Sequence, residues 1–147
     1  MNQRPIHIVP PCASDVRIVY HDDYLVVIDK PEPMLSTPGR LPENKDSAIT
    51  RVQRIYPSAE LVHRLDMATS GLMVISLSKL MNRELSILFQ KRQVDKTYIA
   101  VLDGHVHDNQ GLIDIPIITD WENRPLQKVC YETGKSSQTE FLVLEIG

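Results

Sequence analysis

The 147 residues carry a formal net charge of −3, with 24% charged and 42% hydrophobic side chains, which suits one domain built on a single apolar core. So small a negative total gives no bulk-charge signature of a nucleic-acid binder. No apolar run approaches the roughly 18 residues of a membrane helix, and Met1-Asn2-Gln3-Arg4-Pro5-Ile6-His7-Ile8-Val9 contains no signal-peptide core.

The first dozen or so residues hold Pro5, Pro10 and Pro11 without periodicity, so residues 1–14 read as a flexible arm. Val16–Tyr20 and Tyr24–Ile28 read as two strands around a tight turn at His21-Asp22-Asp23. Pro31 and Pro33 stop the second strand, and a polar loop with Pro38, Gly39 and Pro42 follows.

Asp46 is the expected N-cap of a helix running to Tyr56, with Ala48, Ile49, Val52, Ile55 and Tyr56 at helical spacing. Arg51 and Arg54 fall off that stripe, towards solvent or a ligand. A short strand at Leu61-Val62 leads into a loop, and Gly71–Leu77 reads as a buried strand. Ser78 caps a second expected helix, with Leu80, Met81, Leu85, Leu88 and Phe89 inward and Lys91-Arg92 suiting the negative end of the helix dipole.

Beyond it the pattern is mostly β: Lys96–Leu102, Leu112–Ile118, Leu126–Tyr131 and, after a turn at Thr133-Gly134-Lys135, Thr139–Ile146. The whole predicts an α+β fold with a mixed, mainly antiparallel sheet and flanking helices. The chain stops on an apolar strand without a closing element, and is expected to be a fragment.

Cys12 and Cys130 lack the spacing of a zinc or redox motif, and His105 and His107 have no second ligand pair, so no metal is expected. Three basic clusters, Arg51/Arg54/Arg64, Lys91/Arg92/Lys96 and Arg124/Lys128, form one positive face or a scatter of solvated charges.

The segment richest in chemistry is His63-Arg64-Leu65-Asp66-Met67-Ala68-Thr69-Ser70-Gly71. A loop between two strands there presents an acid, an arginine and a histidine within four residues. A carboxylate at a strand end can serve as nucleophile or base, and a neighbouring cation favours the charged form of a carboxylate. Thr69 and Ser70 can support the loop, and Gly71 permits a tight entry into the next strand. The plainer alternative is a buried Arg64–Asp66 ion pair that stitches the loop together.

The pattern H-R-L-D-x-x-T-S-G resembles the signature of the RluA family of RNA pseudouridine synthases at every specified position. Asp29-Lys30-Pro31 with Leu35–Arg40 is similar to that family's early N-K-P-x-G segment, with Asp29 for the usual Asn and Pro33 for the usual Gly. Lys96-Thr97-Tyr98-Ile99-Ala100 resembles its K-x-Y-x-A motif. Asp120–Lys128 and Tyr131–Lys135 resemble the RluA branch, which modifies a ribosomal RNA hairpin and the anticodon stem-loop of some tRNAs. The family's later G-R-x-H-Q-L-R motif has no counterpart here.

The resemblance implies that residues 15–147 are the N-terminal part of a pseudouridine synthase catalytic domain. It implies breakage of a uridine's glycosidic bond, rotation of the base and re-attachment through carbon, without cofactor. Asp66 is then the catalytic carboxylate, Tyr98 lies beside the flipped uracil, and Arg64 fills the space the base vacates. His63 binds the loop or the RNA. Arg40, Arg124 and Lys128 are candidate phosphate contacts, and Thr69, Ser70 and Gly71 are loop supports. Structured RNA is the expected partner, in the cytoplasm, with no membrane and no obligate protein partner. Two other readings are an RNA-binding module without catalysis and a hydrolase using Asp66, which would need a second carboxylate or a metal.

Overall fold

The computed structural model describes residues 8–123 and 126–146. The chain divides into two compact units, Met1–Lys96 and Thr97–Gly147.

In the first unit four strands form one antiparallel sheet in the order β1-β2-β4-β3: β1 Arg17–His21, β2 Leu25–Lys30, β3 Glu60–Leu61 and β4 Gly71–Ser76. The β1–β2 turn is set by Asp22, whose Oδ1 accepts from the amides of Tyr24 and Leu25 at 2.8 Å each. Those bonds hold the Asp22 carboxyl below its usual range. Strict alternation along β2 buries Val26, Ile28 and Lys30 on one face. They meet Met73 and Ile75 of β4 and, from the helix side, Ala48, Ile49 and Val52, forming the apolar core.

Helix α1, Ala48–Gln53, is capped by Ser47 rather than Asp46. Ser47 Oγ accepts from the Thr50 amide while Thr50 Oγ1 accepts from the Ser47 amide, a reciprocal capping box. Asp46 is thereby free to pair with Arg51. The helix ends before Ile55, which is exposed instead of buried. Arg51 also departs from expectation: it turns onto the arm, donating to the carbonyls of Cys12 (2.7 Å) and Ser14 (2.6 Å).

Helix α2, Lys79–Gln90, has the expected Ser78 cap, with Ser78 Oγ accepting from the Met81 amide at 3.2 Å. Its inward side is Met81, Asn82, Leu85, Ser86 and Phe89, all half-buried, whereas Leu80 and Leu88 face solvent. The stripe is displaced because Asn82 Nδ2 is drawn inward, donating to Leu61 O and Ser76 Oγ. The helix closes through Arg92 at φ 55°, with amide bonds from Arg92 to Phe89 O and from Gln93 to Leu88 O.

In the second unit β5 Gln110–Thr119 is flanked by β6 Gln127–Val129 and β7 Lys135–Leu142, both antiparallel. β7 begins four residues before the expected Thr139, because its register with β5 pairs Lys135 with Ile117 directly after the turn. Gly134 permits that turn, since a Cβ there would lie 2.3 Å from Cys130 O. The expected strand Lys96–Leu102 takes part in no ladder among the described residues; its β-forming composition has no partner strand there to satisfy it. The architecture is α+β with antiparallel sheets and few helices. No helix of the described residues is long and apolar enough to cross a membrane.

Candidate active site

The loop between β3 and β4 carries His63 to Ser70, and its path is fixed by alternation. Leu65 points into the core, while Arg64 and Asp66 on either side are exposed. The carbonyls of the three residues around the acid are all engaged. Leu65 O accepts from Ser36 Oγ at 2.6 Å, Asp66 O from the Thr69 amide at 3.1 Å, and Met67 O from the Met34 amide at 3.2 Å. Ser36 Oγ also accepts from the Leu65 amide at 3.1 Å. Gly71 ends the loop at φ 122°, a conformation L side chains rarely adopt.

Arg64 and Asp66 form no ion pair with each other, and neither is buried. The stitching pair therefore does not hold this loop; hydrogen bonds to its backbone, from Ser36, Lys30 and the Met34 amide, do. What remains is a carboxylate presented to solvent from a hydrogen-bonded backbone, with a guanidinium two residues away.

His63 is half-buried, its ring stacked on Phe89 at 4.5 Å and 19°. Its Nε2 accepts from the Val74 amide at 3.0 Å, which places the ring proton on Nδ1. Burial first, and Lys96 second, hold its pKa below the usual histidine value, so the neutral ring fits its acceptor role.

Lys30 is wholly buried, its Nζ donating to Met34 O (2.9 Å), Pro31 O (3.1 Å) and Met67 O (3.4 Å). Burial lowers its pKa, with Cys12, Glu32 and Asp66 acting the other way. Lysines are almost never buried unless partnered; here three carbonyls supply the partners. Sequence reasoning assigned Lys30 and Ser36 no role. The alternation of Leu25–Lys30 was a usable signal for Lys30, since it sets that residue on the same face as Val26 and Ile28. Nothing local distinguishes Ser36.

The other expected site residues lie on several segments of the two units. Thr69 is half-buried and serves the loop through its amide, while Ser70 is exposed. Arg40 is exposed in the loop before α1. In the second unit Tyr98 is 60% exposed, and Lys128 pairs with Asp120 at 3.7 Å. The Asp120 carboxyl lies below its usual range through Asn123 first, with Lys128 contributing. Arg124 falls outside the described residues. No group of three His, Cys, Asp or Glu among the described residues could hold a metal ion.

This antiparallel α+β frame has counterparts among known proteins. The family model for RNA pseudouridylate synthase matches residues 24–147, and the chain belongs to that family. It is 58% identical over 127 residues to the dual-specificity RNA pseudouridine synthase RluA of Yersinia pestis, covering 86% of this chain and 62% of that protein. With the protein of the same name from Escherichia coli K12 it shares 54% over 136 residues, 92% of this chain and again 62% of the relative. The chain thus spans less than two thirds of the length of these relatives. Among solved structures, human RNA pseudouridylate synthase domain containing 1 superposes with a TM-score of 0.71 at 24% identity, over 97% of this chain and 56% of that one. This last likeness supports the fold.

Proposed function

We propose that this chain acts in the isomerisation of uridine to pseudouridine in structured RNA, with Asp66 as the catalytic carboxylate. The observation that carries the reading is the exposed Asp66 held between two residues, Leu65 and Met67, whose backbones are tied to the 30–36 segment. Preorganisation of this kind is what a reacting carboxylate needs, because small displacements of a reacting group cost large factors in rate.

The reaction conserves atoms: the bond from the ribose C1′ to N1 of the uracil breaks, one from C1′ to C5 forms, and the C5 proton is lost while N1 regains one. Asp66 assists at the sugar. The target base must first leave its stack, at about a few kcal/mol. Arg64, exposed beside the acid, suits the vacated space, because a guanidinium can stack on bases or reach phosphate. Tyr98 offers an exposed ring for stacking on the uracil. Arg40, Lys128 and Arg124 contribute phosphate contacts. A ribosomal RNA hairpin and a tRNA anticodon stem-loop are the proposed substrates, and the cytoplasm the proposed location.

The test is pseudouridine formation in an unmodified tRNA anticodon stem-loop, read with a pseudouridine-specific chemical label, for the parent chain and Asp66→Ala. Label that appears with the parent alone supports the assignment. Equal label from both removes Asp66 from the chemistry, and RNA binding without label from either favours a binding module.

A further inference from the structure

Among the contacts by which the 30–36 segment holds the Asp66 loop, the most specific centre on Ser36. Its side chain is buried, with 4% exposure, and its hydroxyl both donates to Leu65 O at 2.6 Å and accepts from the Leu65 amide at 3.1 Å. Met73 Sδ lies 3.5 Å from the same oxygen, but one hydroxyl proton serves one strong acceptor, and the short bond to Leu65 O takes it. One small side chain therefore satisfies both backbone groups of the residue that precedes Asp66, as a partner strand would in an antiparallel ladder. On the far side, Met67 O is held by the Met34 amide and by Lys30 Nζ. Asp66 lies between these two anchorages, with its own carbonyl closed onto Thr69.

We infer that Ser36 is a positioning residue for Asp66: its hydroxyl fixes the Leu65 peptide groups and so sets where the carboxylate stands. The inference rests on the reading of Asp66 as the catalytic carboxylate. Ser36 touches neither substrate nor reacting atoms in this role, and acts only through Leu65. A geometric role of this kind lowers the rate of the bound complex rather than its affinity, since the RNA-facing side chains are unchanged.

The experiment has two arms, run on the full chain. In the first, single-turnover pseudouridine formation at saturating anticodon stem-loop is compared for the parent, Ser36→Ala and Ser36→Thr, with RNA affinity measured in parallel. Ser36→Ala is expected to slow turnover by on the order of 10–100-fold with affinity within about twofold, and Ser36→Thr, which keeps the hydroxyl, to recover most of the rate. In the second arm, amide hydrogen exchange is followed at Leu65 and Thr69, with Val26 and Ile75 as core references. Ser36→Ala is expected to speed exchange in the loop by about tenfold or more and leave the core references unchanged. Should Ser36→Ala not fold, Ser36→Cys, which keeps the site filled with a larger atom that is a poor donor, takes its place in both arms.

Unchanged loop exchange overturns the anchorage, whatever the activity. Faster loop exchange with undiminished turnover overturns the positioning role. An equal rise at Val26 and Ile75 makes Ser36 a general stabiliser and overturns the specific role as well. A parent chain that yields no pseudouridine overturns the proposed activity of this chain, and the exchange arm separates that failure from failure of the anchorage.

Discussion

His63 Nε2 accepts the amide hydrogen of Val74 at 3.0 Å, just past the point where the ladder between β3 and β4 ends at the Leu61–Ile75 pair. A side chain here takes a donor that a longer β3 would have used. Acceptance requires Nε2 without its proton, so protonation of the ring breaks the bond.

This sets a pH dependence of stability. The folded-state pKa of His63 lies below the ordinary 6.5, through burial first and Lys96 second. As pH falls below 6.5 the unfolded chain takes up the proton before the folded chain does, so the stability His63 contributes is full above that value and is lost as pH falls through the folded pKa. Urea unfolding of the parent at pH 7.5 and 5.5 is expected to show a loss that His63→Gln reduces, because the Gln carbonyl can accept from Val74 at either pH. An identical loss in parent and variant would assign the pH effect to other groups.

Lys30 should prove structural in a way its charge conceals. Lys30→Met keeps the length and apolar stem but deprives Pro31 O and Met34 O of the ammonium, while Met67 O retains the Met34 amide. A buried acceptor left unsatisfied costs about 1–3 kcal/mol, partly offset by no longer burying a charge. A net loss of about 1–2 kcal/mol in urea unfolding is expected. A variant as stable as the parent would show that the desolvation penalty of the ammonium cancels its bonds.

Much of this was legible in the chain itself. The turn at Asp22, the Ser78 cap and a strand from Gly71 follow from local chemistry, although β4 is buried on one face only, with Leu72 63% exposed. The nine-residue H-R-L-D-x-x-T-S-G segment located the loop that presents Asp66. What escaped were features decided by distant partners. Leu80 and Leu88 fit an apolar stripe, yet Asn82 faces inward because Leu61 O and Ser76 Oγ wait there. Asp46 and Ser47 are both good caps in isolation; Arg51 claims the aspartate and Thr50 reciprocates with the serine. Ser36 meets Leu65 across 29 residues of chain, a relationship no local pattern encodes.

Gly71 stands at φ 122°, with open space where a Cβ would project. The expected cost of Gly71→Ala is therefore backbone strain alone, about 1–3 kcal/mol. Thermal or urea unfolding measures it. A neutral substitution would mean that the loop can enter β4 by another backbone path, and Asp66 would then be held less firmly than its hydrogen bonds indicate.

Arg51 gathers Asp46 and the carbonyls of Cys12 and Ser14 around one guanidinium. Arg51→Lys keeps the charge but loses the planar fork that reaches all three. The variant is expected to expose the segment before β1 to limited proteolysis while the core melts at nearly the same temperature. Protection equal to that of the parent would mean that other contacts, such as the Val9 amide on Asn44 Oδ1, suffice to hold the arm.

Arg64 offers the sharpest separation of stability from function. It is exposed and makes no ion pair with any described residue, so Arg64→Ala should alter unfolding free energy by no more than about 0.5 kcal/mol. If it fills the space left by a flipped base, turnover on the anticodon stem-loop should fall by about tenfold or more, a loss of at least ~1.4 kcal/mol in transition-state stabilisation. Binding should also weaken with a flatter salt dependence if the guanidinium contacts phosphate, and with an unchanged slope if it only stacks on bases. Full turnover in a folded Arg64→Ala chain would remove Arg64 from the RNA-handling machinery, and an unfolded variant would show that the residue serves the loop itself.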